Sequence, residues 1–110
     1  MSSQIEQITG IADLTCDLAQ LHAPYSNHVL ELIHFHRVDD LYPQEIPAPI
    51  YPGMAHVAFF VDDLVSYMKK VESHGAKRLG RVTKFEDGNS VYYQEPAGSF
   101  FEMEENHPNL

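Results

Sequence analysis

Apolar positions along this chain recur with two different periods, and the change from one to the other divides it. In residues 14–22, "LTCDLAQLH", Leu14, Cys16, Leu18 and Gln20 alternate with Thr15, Asp17, Ala19 and Leu21, the period of two that a strand requires. "APYSN" is a cluster of turn formers, and "HVLELIHFHR" (28–37) is a second apolar and aromatic run, so the two segments predict a hairpin. "IEQITGI" is a candidate further strand ahead of them. Residues 38–53 then hold prolines at 43, 47, 49 and 52. Proline fixes φ and donates no amide hydrogen, so this stretch reads as an extended connector and not as a sheet interior.

Beyond the connector the pattern is sharper. "MAHVAFFV" (54–61) predicts a strand. Asp62 or Asp63 offers an N-cap, and Leu64, Met68 and Val71 recur at i, i+4 and i+7, the apolar stripe of a helix over 63–74. Gly75 stands where a C′ glycine belongs, after His74. "AKRLGRVTKF", a turn at "EDGNS" with Gly88 supplying a positive φ, the strand "VYYQE", a turn at "PAGS" and the strand "FFEMEE" complete the series. The order is β-β followed by β-α-β-β-β, which predicts an α+β fold in a single domain over 1–110.

Charge and composition narrow the partners. Sixteen acids against seven bases give a net charge of −9 in 110 residues. That balance disfavours nucleic acid and anionic membrane surfaces, both of which attract clustered Lys and Arg. No run approaches the roughly 20 apolar residues of a membrane span. "MSSQIEQITG" has neither a basic n-region nor an apolar h-region, so the expectation is a soluble, cytoplasmic protein. The lone Cys16 has no internal disulfide partner and reads as a small buried strand residue.

Candidate chemistry rests on three side chains in apolar strands. His56 shares a strand face with Met54, Ala58 and Phe60; Glu102 with Phe100 and Glu104; Glu31 with Val29, Ile33 and Phe35. A buried, unpartnered carboxylate costs several kcal/mol, so each is either solvated at a sheet rim or partnered. A hydrogen-bonded core histidine is the corresponding bland reading of His56. Converging on one face, the three form a nitrogen and oxygen site suited to Zn, Mn, Fe or Ni. His34 and His36 lie on the opposite strand face from Glu31 and read as surface or helix-packed residues. Of Tyr92 and Tyr93, one faces the cavity and the other the helix. Asp62–Asp63 is a helix start, and Glu104, Glu105 and His107 read as a solvated C-terminal end.

The ordered set "AHVAFFVDDL", "HGAK" and "VYYQEPAGSFFEMEE" resembles the second βαβββ module of the vicinal oxygen chelate superfamily, the glyoxalase/bleomycin resistance/dioxygenase proteins. The last set of residues stands for that family's Tyr-x-x-(Asp)-Pro-x-Gly-x-x-x-Glu-(Leu) ending. The front part resembles the last strands of a first module, with "LELIHFHR" at the position of a family Glu. The resemblance implies a complete module over 54–105, a strands-only remnant of the first over 8–37, and a linker over 38–53. It also implies a curved mixed sheet with the helix on one face. Carried over residue by residue, the metal ligands fall on Glu31, His56 and Glu102, with Glu102 or Glu31 doubling as catalytic base. The activity implied is that of a metal-dependent glyoxalase- or epimerase-like lyase or isomerase acting on a small oxygenated metabolite. A bleomycin-resistance-like binding dimer without turnover and a truncated, inactive family member are the alternatives. The family's first strand and helix have no counterpart here. The exposed sheet edge this leaves implies a homodimer, with His22, His28, His34 or His36 a candidate for the missing ligand.

Overall fold

The computed structural model describes residues 3–37 and 48–106. Most of the predicted connector, 38–47, and His107 lie outside the described residues. The elements run α1 (Ser3–Thr9), β1 (Cys16–His22), β2 (Val29–Phe35), β3 (His56–Phe60), α2 (Leu64–Ser73), β4 (Lys77–Arg78), β5 (Thr83–Lys84), β6 (Gly88–Gln94) and β7 (Phe100–Asn106). They fall into two compact units, Met1–Gln44 and Glu45–Leu110.

In the first unit β1 and β2 form the predicted antiparallel hairpin, with Cys16 opposite Phe35 and His22 opposite Val29. "IEQIT" is helical and not a strand. Ile5 alone turns inward, Ile8 being exposed, and the Gly10 amide, at φ +75, closes the end onto the Glu6 carbonyl. The front unit is therefore not made of strands alone. Ile5 packs with Leu14, Cys16 and Phe35, and Cys16 is a buried free thiol as expected.

In the second unit the sheet order is β3-β7-β6-β4, with β5 also on β6. β3 and β7 run parallel and the other pairs antiparallel, which makes the sheet mixed. Helix α2 begins at its cap Asp63, whose carboxylate accepts from the Ser66 amide at 3.2 Å. It ends at His74, followed by Gly75 at φ +97. Its buried stripe, Leu64 and Met68 with Val71 beside them, packs on Val91, Tyr93 and Met103 from β6 and β7. Five well-buried residues of this kind stabilise by about 1.5–3 kcal/mol each relative to exposure, before the entropy of ordering is set against them.

Two expectations need correction here. Gly88 is not a positive-φ turn residue; it opens β6 opposite Asn106. A Cβ there would collide with the Glu105 carbonyl oxygen and come within 3.0 Å of the Asn106 Cα, so close approach of backbones and not turn geometry demands glycine. Glu104 and Glu105 are not a solvated end either, since both lie in β7. The Glu105 carboxylate reaches across 41 residues to accept the Leu64 amide at 2.6 Å, satisfying a free donor at the start of α2.

Candidate functional site

Strand pairing assigns each side chain to a face. With α2 covering the face that carries Val91, Tyr93 and Met103, the opposite face shows His56, Ala58 and Phe60 from β3 and Phe100, Glu102 and Glu104 from β7. β6 adds Tyr92 and Ser90. Glu102 is the register partner of Ala58 on one side and Tyr92 on the other, two residues along the strand from the His56–Phe100 pair. From there its Oε2 lies 3.5 Å from His56 Nε2, and the His56 ring lies 4.9 Å from that of Tyr92. Only 14 % of the Glu102 side chain is exposed, against 32 % of His56, so the carboxylate is the deeper partner. The two tyrosines divide as expected, Tyr92 on this face and Tyr93 against α2.

Glu104 sits two residues along the same face. Its carboxyl is raised above the usual range, first by a hydrogen bond to Glu102, then by burial, and then by the negative charges of Glu102 and Asp87. Clefts of about 210 and 450 Å³ open here, and Phe85, Ser90 and Glu102 line both.

His56 and Glu102 fit a divalent cation. Ligand atoms bound tetrahedrally at zinc-like distances of roughly 2.0–2.2 Å stand about 3.4 Å apart, close to the 3.5 Å separation seen. Imidazole nitrogen with carboxylate oxygen is also a donor set that such ions accept. The third predicted residue, Glu31, belongs to the first unit. It is exposed on β2, opposite Gln20, whose amide donates to Glu31 Oε2 at 3.1 Å.

A second group was not foreseen. Asp17, opposite His34 across the hairpin, gathers with His34 and His36 so that one ligand atom from each lies within 4.8 Å of the others. Among the described residues this is the three-member group of His and carboxylate able to hold a metal ion. His36 Nε2 lies 3.0 Å from Asp17 Oδ2, and its Nδ1 lies 2.8 Å from Thr15 Oγ1. The His36 hydrogen bond, and then its charge, lower the Asp17 carboxyl below its ordinary value. The sequence does place His34 and His36 on the face away from Glu31, where they read as surface or helix-packed residues, named only as candidates for one missing ligand of the other site. The signal for more was "HFH" facing a strand with one aspartate, legible only once the hairpin register is fixed.

This architecture recurs in solved structures. A glyoxalase family protein from Bacillus cereus superposes with a TM-score of 0.81 at 20% identity, over 94% of this chain and 70% of that one. A glyoxylase/bleomycin resistance protein/dioxygenase domain from a Frankia species superposes with a TM-score of 0.60 at 14% identity, over 87% of this chain and 69% of that one. No protein-family model and no curated protein matches the sequence. The chain thus has the glyoxalase/bleomycin resistance/dioxygenase fold, in the α+β form with a mixed sheet that its sequence predicts.

Proposed function

We propose that the chain is a metal-dependent glyoxalase- or epimerase-like lyase or isomerase acting on a small oxygenated metabolite. His56 and Glu102 would hold the divalent ion, Zn, Ni, Mn or Fe. The observation that carries this reading is the His56–Glu102 pair, 3.5 Å apart on the sheet face opposite α2. The fold shared with glyoxalase-type proteins supports it. A cation held there supplies Lewis-acid polarisation of substrate oxygens.

The chain's own residues account for the rest. Tyr92 packs its ring beside His56 and limits how the imidazole can turn. Glu102 would double as the base that takes a proton from a carbon next to a carbonyl and returns it, with Glu104 beside it on the same face. Phe85 and Phe60 give the face apolar surface for the remainder of a small substrate.

Assembly as a homodimer belongs to the same proposal. A two-stranded hairpin is marginal by itself, and Leu18, Leu21, Leu32 and Ile33 stand exposed on β1 and β2. β3, at the edge of its sheet, carries the exposed Phe60.

The test is metal content and proton exchange together. Purified protein reconstituted with Zn, Ni, Mn or Fe should retain the ion through desalting and catalyse deuterium exchange into small α-hydroxycarbonyl compounds. In a chain that also carries His34→Ala and Asp17→Asn, so that the hairpin group cannot retain metal, His56→Ala should lose both properties. Retention of a small ligand without exchange, in the presence or absence of metal, points instead to the binding reading.

A further inference from the structure

The Asp17, His34 and His36 group sits on the β1–β2 hairpin, shares no residue with the proposed His56 and Glu102 site, and has the marks of a site in its own right. Its three members come from adjoining strands and share one sheet face: Asp17 and His34 are register partners, and His36 lies two residues beyond His34. Directly opposed residues on paired strands hold their Cβ atoms about 4.5–5.5 Å apart, so the arrangement is set by backbone pairing and not by chance rotamers. The His36 amide bonded to the Thr15 carbonyl at 2.9 Å extends the ladder past the end of β2 and fixes the backbone of the third member.

The orientation of His36 is fixed as well. Thr15 Oγ1 holds Nδ1 at 2.8 Å, which turns Nε2 toward Asp17 Oδ2 at 3.0 Å. A ligating histidine is commonly oriented in this way, with its second nitrogen held by a neighbour while the first faces the ion. His34 approaches from the side, its ring 5.5 Å from that of His36 and nearly perpendicular to it.

We infer that this cluster is a metal site for a borderline transition-metal dication, with Zn2+, Ni2+ and Cu2+ as its natural occupants. Two neutral imidazoles and one carboxylate carry a single negative charge, so a bound dication keeps net positive charge. With three protein ligands it also keeps at least one position open for water or an external anion. Imidazole-rich donors select these ions over Mg2+ and Ca2+, which want a shell of oxygens, and the affinities should rise from Zn2+ or Ni2+ to Cu2+. The side chains are exposed or half-exposed, so closing ligand atoms now within 4.8 Å onto one ion needs only rotation of surface side chains.

The experiment uses the full chain with His56→Ala and Glu102→Gln in place, so that the proposed substrate-face site is absent. ZnCl2, NiCl2, CuCl2 and MgCl2 are titrated by calorimetry. The site predicts one equivalent of Zn2+, Ni2+ or Cu2+ per chain and no measurable Mg2+. His34→Ala or Asp17→Asn should remove that equivalent. Thr15→Val keeps all three ligands and should weaken binding at least about tenfold, the usual cost of losing a residue that orients a ligand. Circular dichroism checks that each variant folds. Zn2+ binding that is unchanged by His34→Ala and by Asp17→Asn overturns the inference, as does binding of no dication. Neither result bears on His56 and Glu102, which are tested separately.

Discussion

Replacing Tyr93 with phenylalanine isolates one hydrogen bond at the centre of the helix–sheet interface. The Tyr93 side chain is fully buried, its ring stacked 5.5 Å from that of Phe101, and its hydroxyl donates to Glu72 Oε2 at 2.8 Å. Phenylalanine keeps the ring and removes the donor. A hydrogen bond to a charged acceptor contributes about 1.5–3 kcal/mol. Glu72 is 39 % exposed and also faces Arg78 at 3.4 Å, so water and the guanidinium recover part of that loss, leaving about 1–2 kcal/mol at pH 7. Burial, then the Glu72 hydrogen bond and charge, push the phenol from 10 up to about 12. For a group whose pKa is raised on folding, the associated stability is complete below pH 10 and disappears as pH climbs toward 12. Two pKa steps correspond to about 2.7 kcal/mol, an upper bound given the exposure of Glu72. Urea denaturation of both proteins between pH 7 and 11 reads the difference directly. Wild type should be the more stable at pH 7, and the gap should narrow above pH 10, because the other tyrosines titrate alike in both proteins. A gap that stays constant up to pH 11, or no gap at pH 7, would mean that the Tyr93–Glu72 hydrogen bond does not stabilise the fold.

Gly88→Ala drives a methyl group into the Glu105 carbonyl and should lower the urea midpoint by the equivalent of about 1–3 kcal/mol. Met68→Ala empties part of the cluster under α2 and should cost roughly 2–4 kcal/mol in the same assay, with the slope unchanged. Glu104→Gln removes a carboxyl whose pKa is raised on folding, a group that favours the folded state at acid pH and loses that contribution as pH rises. The variant should therefore be more stable than wild type at pH 7, by less than about 1 kcal/mol because the group is partly exposed, and the difference should vanish near pH 4. Stability measured by urea at both pH values checks it.

The second unit was largely legible in the sequence because its signals are local. Asp63, the stripe of Leu64, Met68 and Val71, and Gly75 mark both ends and the buried face of α2 without reference to anything else in the chain. Period-two alternation likewise put His56 and Glu102 on faces that the strand pairing then brought together. What stayed hidden depends on contacts between distant segments. The need for glycine at 88 arises from the β7 backbone packed against it, and the Glu105 cap joins residues 41 apart. The grouping of Asp17 with His34 and His36 depends on the hairpin register, which alternation alone leaves free. "IEQIT" is too short for period to separate helix from strand.

The proposed function stands or falls on whether His56 and Glu102 bind a divalent ion on the face of the five-stranded sheet opposite α2. It is tested most directly by cobalt substitution in a chain carrying His34→Ala and His36→Ala, which removes the hairpin group. Visible absorption of the Co2+-loaded protein reports the ligands bound to the ion. A protein-bound cobalt band should develop up to one equivalent per chain and be lost with Glu102→Gln and with His56→Ala. A spectrum no different from free aqueous cobalt, or a band untouched by both substitutions, contradicts it.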